Sequence, residues 1–136
     1  MITLNIILFV FAIIFIHWIA DFVFQTHEQA VNKSTNNWYL TKHVFTYTAT
    51  WFVVIGLIVI LYNHFDIELV RGLNNYPQLL WFIPITFVSH WITDYYTSRL
   101  NSYLWKKGDV HNFFVSVGFD QILHYVQLFL TLYFLL

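Results

Sequence analysis

His17 and Asp21, His90 and Asp94, and Asp120 and His124 are three pairs of ionisable residues, each four positions apart, in stretches that are otherwise largely apolar. Two of the pairs sit in near-copies of one hexapeptide, HWIADF at 17–22 and HWITDY at 90–95. Residues four apart stack on one helix face with Cβ atoms about 5–6 Å apart, so each pair can aim an imidazole and a carboxylate at one point. His43, with Tyr47 one turn further on, supplies a fourth histidine. This mixed donor set suits zinc first, with manganese or iron next, whereas calcium and magnesium prefer oxygen shells. Four histidines and three aspartates exceed what one tetrahedral ion can use, so one or two divalent ions are expected. A two-ion site would place them about 3.5–4 Å apart, with a carboxylate bridging them. The expected ligands are His17, Asp21, His90, Asp94, Asp120 and His124, and His43 is expected as a further ligand or a general acid/base. Gln25, Tyr47, Thr93 and Gln121 are near enough in sequence to orient liganding imidazoles.

Plainer readings stand beside this one. A single H-x-x-x-D pair is often just a helix-surface ion pair, and a lone histidine in an apolar helix is usually a hydrogen-bonded packing residue. Three pairs at matched depth are harder to account for in that way. His27, His64 and His111 fall in expected loops and are taken as chemically idle. Lys106 and Lys107 read as topology determinants. Lys33 and Arg99 either reach an anionic substrate group at the mouth of the site or set topology, and topology is the favoured reading.

The elements that must position these groups are membrane helices. Hydrophobic residues make up 59% of the 136 and charged residues 10%, against about 45–50% and about 25% in soluble domains; the mean hydropathy of +0.62 agrees. A bilayer-spanning helix needs about 20 mostly apolar residues. Four stretches qualify, at about 3–23, 38–62, 77–98 and 112–136, which predicts an all-α four-helix membrane bundle forming a single domain over 1–136. Pro77 suits the first turn of the third. The N-terminal stretch lacks the basic start and small-residue cleavage site of a secretory signal and reads as a retained membrane helix. The stretches between, QTHEQAVNKSTNN, NHFDIELVRGLNN and RLNSYLWKKGDVH, read as loops from their Asn and Gly clusters.

Five of the six basic residues (Lys33, Lys42, Arg99, Lys106 and Lys107) lie in or beside the first and third loops, while Arg71 lies in the second. The positive-inside rule then makes loops one and three cytoplasmic and turns both termini outward. Helices one and three run inward and helices two and four run back, so His17, Asp21, His43, His90, Asp94, Asp120 and His124 all fall in one half of the bilayer. An unpartnered carboxylate facing lipid is costly, by about 2.5–3.5 kcal/mol at the bilayer centre on insertion scales. Three turned inward together would repel one another, and a divalent cation relieves both problems. The net charge of −1 gives no footprint for nucleic acid, and the absence of cysteine excludes thiolate ligands and disulfides.

The ordered set HWIADF-x-F-Q, Lys33, His43, HWITDY and DQILH (120–124) resembles a family of small polytopic membrane proteins of bacteria and their phages whose function is unassigned. The resemblance spans nearly the whole chain. It implies a shared helical membrane architecture, a bacterial inner-membrane location and a shared set of polar residues, but no activity. The family pattern leads one to expect a lysine soon after the second H-x-x-x-D, where this chain has Thr97, Ser98 and Arg99. The pair spacing alone is also similar to that of zinc-dependent phospholipase C and related nucleases, which is an analogy of spacing and no more.

The function these residues lead one to expect is a metal-dependent hydrolase in the cytoplasmic half of the membrane, acting on an amphipathic phosphoester or lipid-like substrate. A divalent-cation or proton transporter is the rival reading; four helices are few for a carrier, so it would call for a homo-oligomer. The third reading is a non-catalytic membrane factor in which a metal holds the bundle together. The repeated hexapeptide also suggests a duplicated helix pair, although the second helix has nothing to mirror Asp120 and His124.

Overall fold

The computed structural model describes residues 2–65 and 76–135, all in helices and short connections. Helix α1 (Ile2–Trp18) passes directly into a π-helical turn, Ile19–Val23, closed by the Phe24 amide donating to the Ile19 carbonyl at 3.0 Å. Next come the short α2 (His27–Asn32), the long α3 (Asn37–Phe65), one turn of α4 (Tyr76–Leu79), and the pair α5 (Phe82–Lys107) and α6 (Val110–Leu135). Three of these helical stretches are long and apolar enough to cross a membrane: Leu4–Val23, Asn37–Leu61 and Val110–Leu135.

The third expected span is drawn differently. Pro77 lies in α4, a turn interrupts the chain at 80–81, and α5 begins at Phe82 and runs to Lys107 rather than ending near 98. Most of the expected third loop is therefore helix. The run from Arg99 to Lys107 is too polar to read as membrane-embedded, yet it contains no Gly or Pro to stop a helix. Gly108 stops it, with φ +76°, a left-handed conformation that other residues adopt at a cost. Its amide and that of Asp109 return to carbonyls of the last turn, at 3.0 Å each. Asp109 then caps α6 through Asn112, whose side-chain and backbone N–H groups hold this exposed carboxyl below its ordinary pKa. A two-residue link therefore fixes α5 against α6.

The first expected loop also contains a helix, α2. Thr26 and Gln29 form a reciprocal capping box, and Gln29 Nε2 donates to Thr46 Oγ1, fastening α2 to α3. His27, His64 and His111, expected in loops, each lie within a helix. Asp66, Glu68 and Arg71 of the second expected loop lie outside the described residues.

The interior is polar. Among the described residues nine hydrophobic and fourteen polar or charged side chains are buried, while large apolar residues such as Phe11, Phe45, Phe52, Phe114 and Phe134 face outward. Water would reverse that arrangement, whereas a hydrocarbon surround accommodates it. The apolar core that exists (Ile13, Ala20, Tyr47, Trp51, Phe82 and Leu128) packs beside the polar cluster.

Candidate metal centre

Six ionisable groups reach the centre from four elements. Asp21 comes from the π-turn, His43 from α3, His90 and Asp94 from α5, and Asp120 and His124 from α6. All six are buried. Helical spacing explains α5 and α6, where each imidazole lies over its own carboxylate: His90 Nε2 is 3.7 Å from Asp94 Oδ2, and His124 Nε2 is 3.3 Å from Asp120 Oδ1.

The first pair keeps the same spacing, with His17 Nε2 3.8 Å from Asp21 Oδ2, but Asp21 sits in the π-turn and its Oδ1 comes closer to His43 Nε2, at 3.0 Å. His17 makes its close contacts elsewhere. Its Nδ1 is 2.9 Å from the Tyr47 hydroxyl, and its Nε2 is 2.9 Å from Gln121 Oε1. Gln121 Nε2 in turn donates to Asp120 Oδ2 at 3.1 Å and to Asp21 Oδ2 at 3.4 Å.

Two groups of donor atoms result. The first comprises Asp21 Oδ1, His43 Nε2, His90 Nε2 and Asp94 Oδ2, with measured separations of 3.0, 3.2, 3.3, 3.4 and 3.7 Å. A tetrahedral ion with bonds of about 2.0–2.1 Å separates its ligands by about 3.3–3.4 Å, which falls within the range of these separations. Hydrogen bonding alone does not explain them, because a single ring proton on His43 Nε2 cannot serve Asp21, Asp94 and His90 together. The second group is Asp94, Asp120 and His124, in which His124 Nε2 is 3.1 Å from Asp94 Oδ1. Asp94 thus offers Oδ2 to one group and Oδ1 to the other. His17 belongs to neither group, and His43, expected as ligand or acid/base, belongs to the first.

Aromatic stacking sets the ring directions. Tyr47 stacks on His90 at 3.9 Å and His90 on His124 at 4.2 Å. The Nδ1 atoms of His43, His90 and His124 have no hydrogen-bond partner, so all three rings direct their polar contacts into the cluster through Nε2.

Lys33, which the sequence left between setting topology and reaching the mouth of the site, lies against the centre. It caps the C-terminus of α2, and its Nζ lies 2.8 Å from Asp94 Oδ2 and 3.3 Å from His43 Nε2. Burial alone would lower its pKa, but the Asp94 and Asp21 carboxylates outweigh burial and hold it above the ordinary lysine value. The signal was the T-x-x-Q capping pattern at Thr26–Gln29, which starts α2 and folds the chain back over the centre. Arg99 lies apart, over the Tyr95 ring and bonded to Asn37 Oδ1 at 2.7 Å. Of the expected supporting groups, Tyr47 and Gln121 contact the cluster, Thr93 accepts from Gln127, and Gln25 lines the cleft beside the centre.

That cleft, of about 530 Å³, is lined by Asp21, Lys33, Asp120 and Gln121 at the centre and by apolar side chains beyond. The model of the family described as "Protein of unknown function (DUF3307)" matches residues 8–136. The chain belongs to this family. The match takes in every residue of both donor groups and the cleft. No curated protein and no solved structure matches the chain.

Proposed function

We propose that this DUF3307 member is a metal-dependent hydrolase built as a single four-span membrane domain, acting on an amphipathic phosphoester. The observation that carries the reading is Asp94, whose two oxygens address two separate donor groups. Two divalent ions sharing a carboxylate is the arrangement used for in-line displacement at phosphorus. Zinc fits the first group best, since it holds two imidazole nitrogens and two carboxylate oxygens. Charge favours two ions as well. Three aspartates and Lys33 leave the centre at −2; one divalent ion brings it to zero, and two bring it to +2, which an anionic phosphoester complements.

When bound, the metal supplies a Lewis acid and lowers the pKa of a coordinated water to about 7. The protein does the rest. Lys33 stands at the junction of centre and cleft to take an anionic oxygen, and Gln121 with Tyr47 holds His17 beside the carboxylates. The fourth span is α5. Its average apolarity is low because its inward face carries His90, Thr93, Asp94 and Ser98, all buried, and intramembrane polar residues face the bundle interior. With Lys33, Lys42, Arg99, Lys106 and Lys107 placed in the cytoplasm, both termini face outward across the bacterial inner membrane.

Transport is the second reading, since buried carboxylates and imidazoles also make proton and cation pathways. The cluster favours hydrolysis because one side is plugged: Tyr47 packs on Trp51, and Trp51 on Phe82. The deciding test is release of headgroup or phosphate from phosphoester lipids by the purified protein with zinc or manganese, alongside uptake of labelled metal into proteoliposomes. Metal-dependent release, abolished in Asp94→Ala, supports hydrolysis. Uptake without release would replace it with transport.

A further inference from the structure

The cleft is lined on two sides by different chemistry, and this deepens the hydrolase reading on which it rests. Phe22, Val31, Trp105, Phe113, Phe114 and Val117 form an apolar wall, and Phe22, Trp105 and Phe114 are themselves exposed toward the surround. Gln25, Ser98 and Asn101 supply polar lining close to the metal-binding residues Asp21 and Asp120. Each of these three holds a buried polar atom with no hydrogen-bond partner: Gln25 Oε1, Ser98 Oγ and Asn101 Oδ1. Ser98 is 8% exposed. These are three of the eleven such atoms among the described residues; all three come from residues lining this one cleft, and buried polar groups are nearly always satisfied.

The orphans also have a sign. The Gln25 and Asn101 atoms are carbonyl oxygens and the Ser98 hydroxyl both donates and accepts, so the set requires hydrogen-bond donors. Among the described residues, Lys33 is the only lysine or arginine lining the cleft, and it is already directed at Asp94. We infer that the cleft binds a lipid phosphodiester whose headgroup carries O–H or N–H donors. The phosphate meets Lys33 and the metal centre, the headgroup satisfies Gln25, Ser98 and Asn101, and the acyl chains lie along Trp105, Phe113 and Phe114. A donor-free headgroup such as choline would leave the acceptors buried and unpaired, which is how polar sites reject close analogues.

The experiment is binding, so that it does not depend on turnover. Metal-loaded protein in detergent is titrated with dihexanoyl phosphatidylglycerol, phosphatidylethanolamine and phosphatidylcholine, and bound lipid is counted by native mass spectrometry. The glycerol or ethanolamine lipid should bind about tenfold or more tighter than the choline lipid; which of the two leads tells hydroxyl from ammonium recognition. Asn101→Leu and Gln25→Leu should each bring the preference toward parity with metal content unchanged. Equal binding of all three lipids, or a preference that survives both substitutions, overturns the inference, and the lipid series on unaltered protein decides even if a variant fails to fold. Donor-selective binding without release of headgroup or phosphate would keep this inference and sink the hydrolase reading; release without headgroup preference would do the reverse.

Discussion

Lys33 Nζ is 2.8 Å from Asp94 Oδ2, the oxygen that also stands 3.2 Å from His43 Nε2. The lysine therefore places its positive charge against the donor atoms that would hold a cation. An ion entering the first group must displace it or share Asp94 with it. Replacing Lys33 with methionine should tighten zinc binding by about tenfold, or about 1.4 kcal/mol, while lowering turnover. Competition titration with a zinc chelator measures the first and cleavage of the phosphoester lipid the second. Weaker zinc binding in Lys33→Met would show that the lysine supports the site rather than competing for it.

The same pair has a pH signature. The folded pKa of Lys33 is raised, so its stabilisation is fully present below the unfolded lysine value of about 10.4 and is lost only as pH rises through the higher folded value. Thermal stability of metal-free protein should show no Lys33-dependent change between pH 6 and about 9. It should fall in stronger alkali, and that fall should be absent in Lys33→Met. A Lys33-dependent transition near neutral pH would contradict this placement.

The membership of Asp94 in both donor groups predicts an asymmetry in metal content. Elemental analysis of the detergent-purified protein should give close to two ions per chain. Asp94→Ala should lose both, His90→Ala should lose the ion of the first group, and His124→Ala that of the second. Identical losses in all three variants would mean a single ion.

His17 lies outside both groups, held by Tyr47 and Gln121. Tyr47→Phe should therefore keep its metal but reduce turnover by about 10- to 100-fold, the usual scale for removing an orienting partner in the outer shell of a metal site. Metal lost along with activity would make His17 a ligand after all.

Gly108 tests the hairpin apart from the chemistry. Its positive φ makes alanine costly there by about 1–2 kcal/mol, although a Cβ would meet no atom within 4 Å. Gly108→Ala should lower the unfolding temperature in detergent and leave the metal-to-protein ratio unchanged.

The sequence by itself determined the helical character, the apolar stretches and the three ionisable pairs, because hydropathy and four-residue spacing are local properties of a helix. His90/Asp94 and Asp120/His124 needed nothing more to be read. At His17/Asp21 the spacing held, at 3.8 Å, but only the fold set Asp21 against His43 and His17 against Tyr47 and Gln121. Polarity misled at residues 99–107, which read as loop yet continue α5 with no Gly or Pro before Gly108. Tertiary structure alone placed Lys33 against Asp94, 61 positions away, and gave the two Asp94 oxygens to different partners. Such separations depend on how α2, α3, α5 and α6 pack, and no periodicity along the chain encodes them.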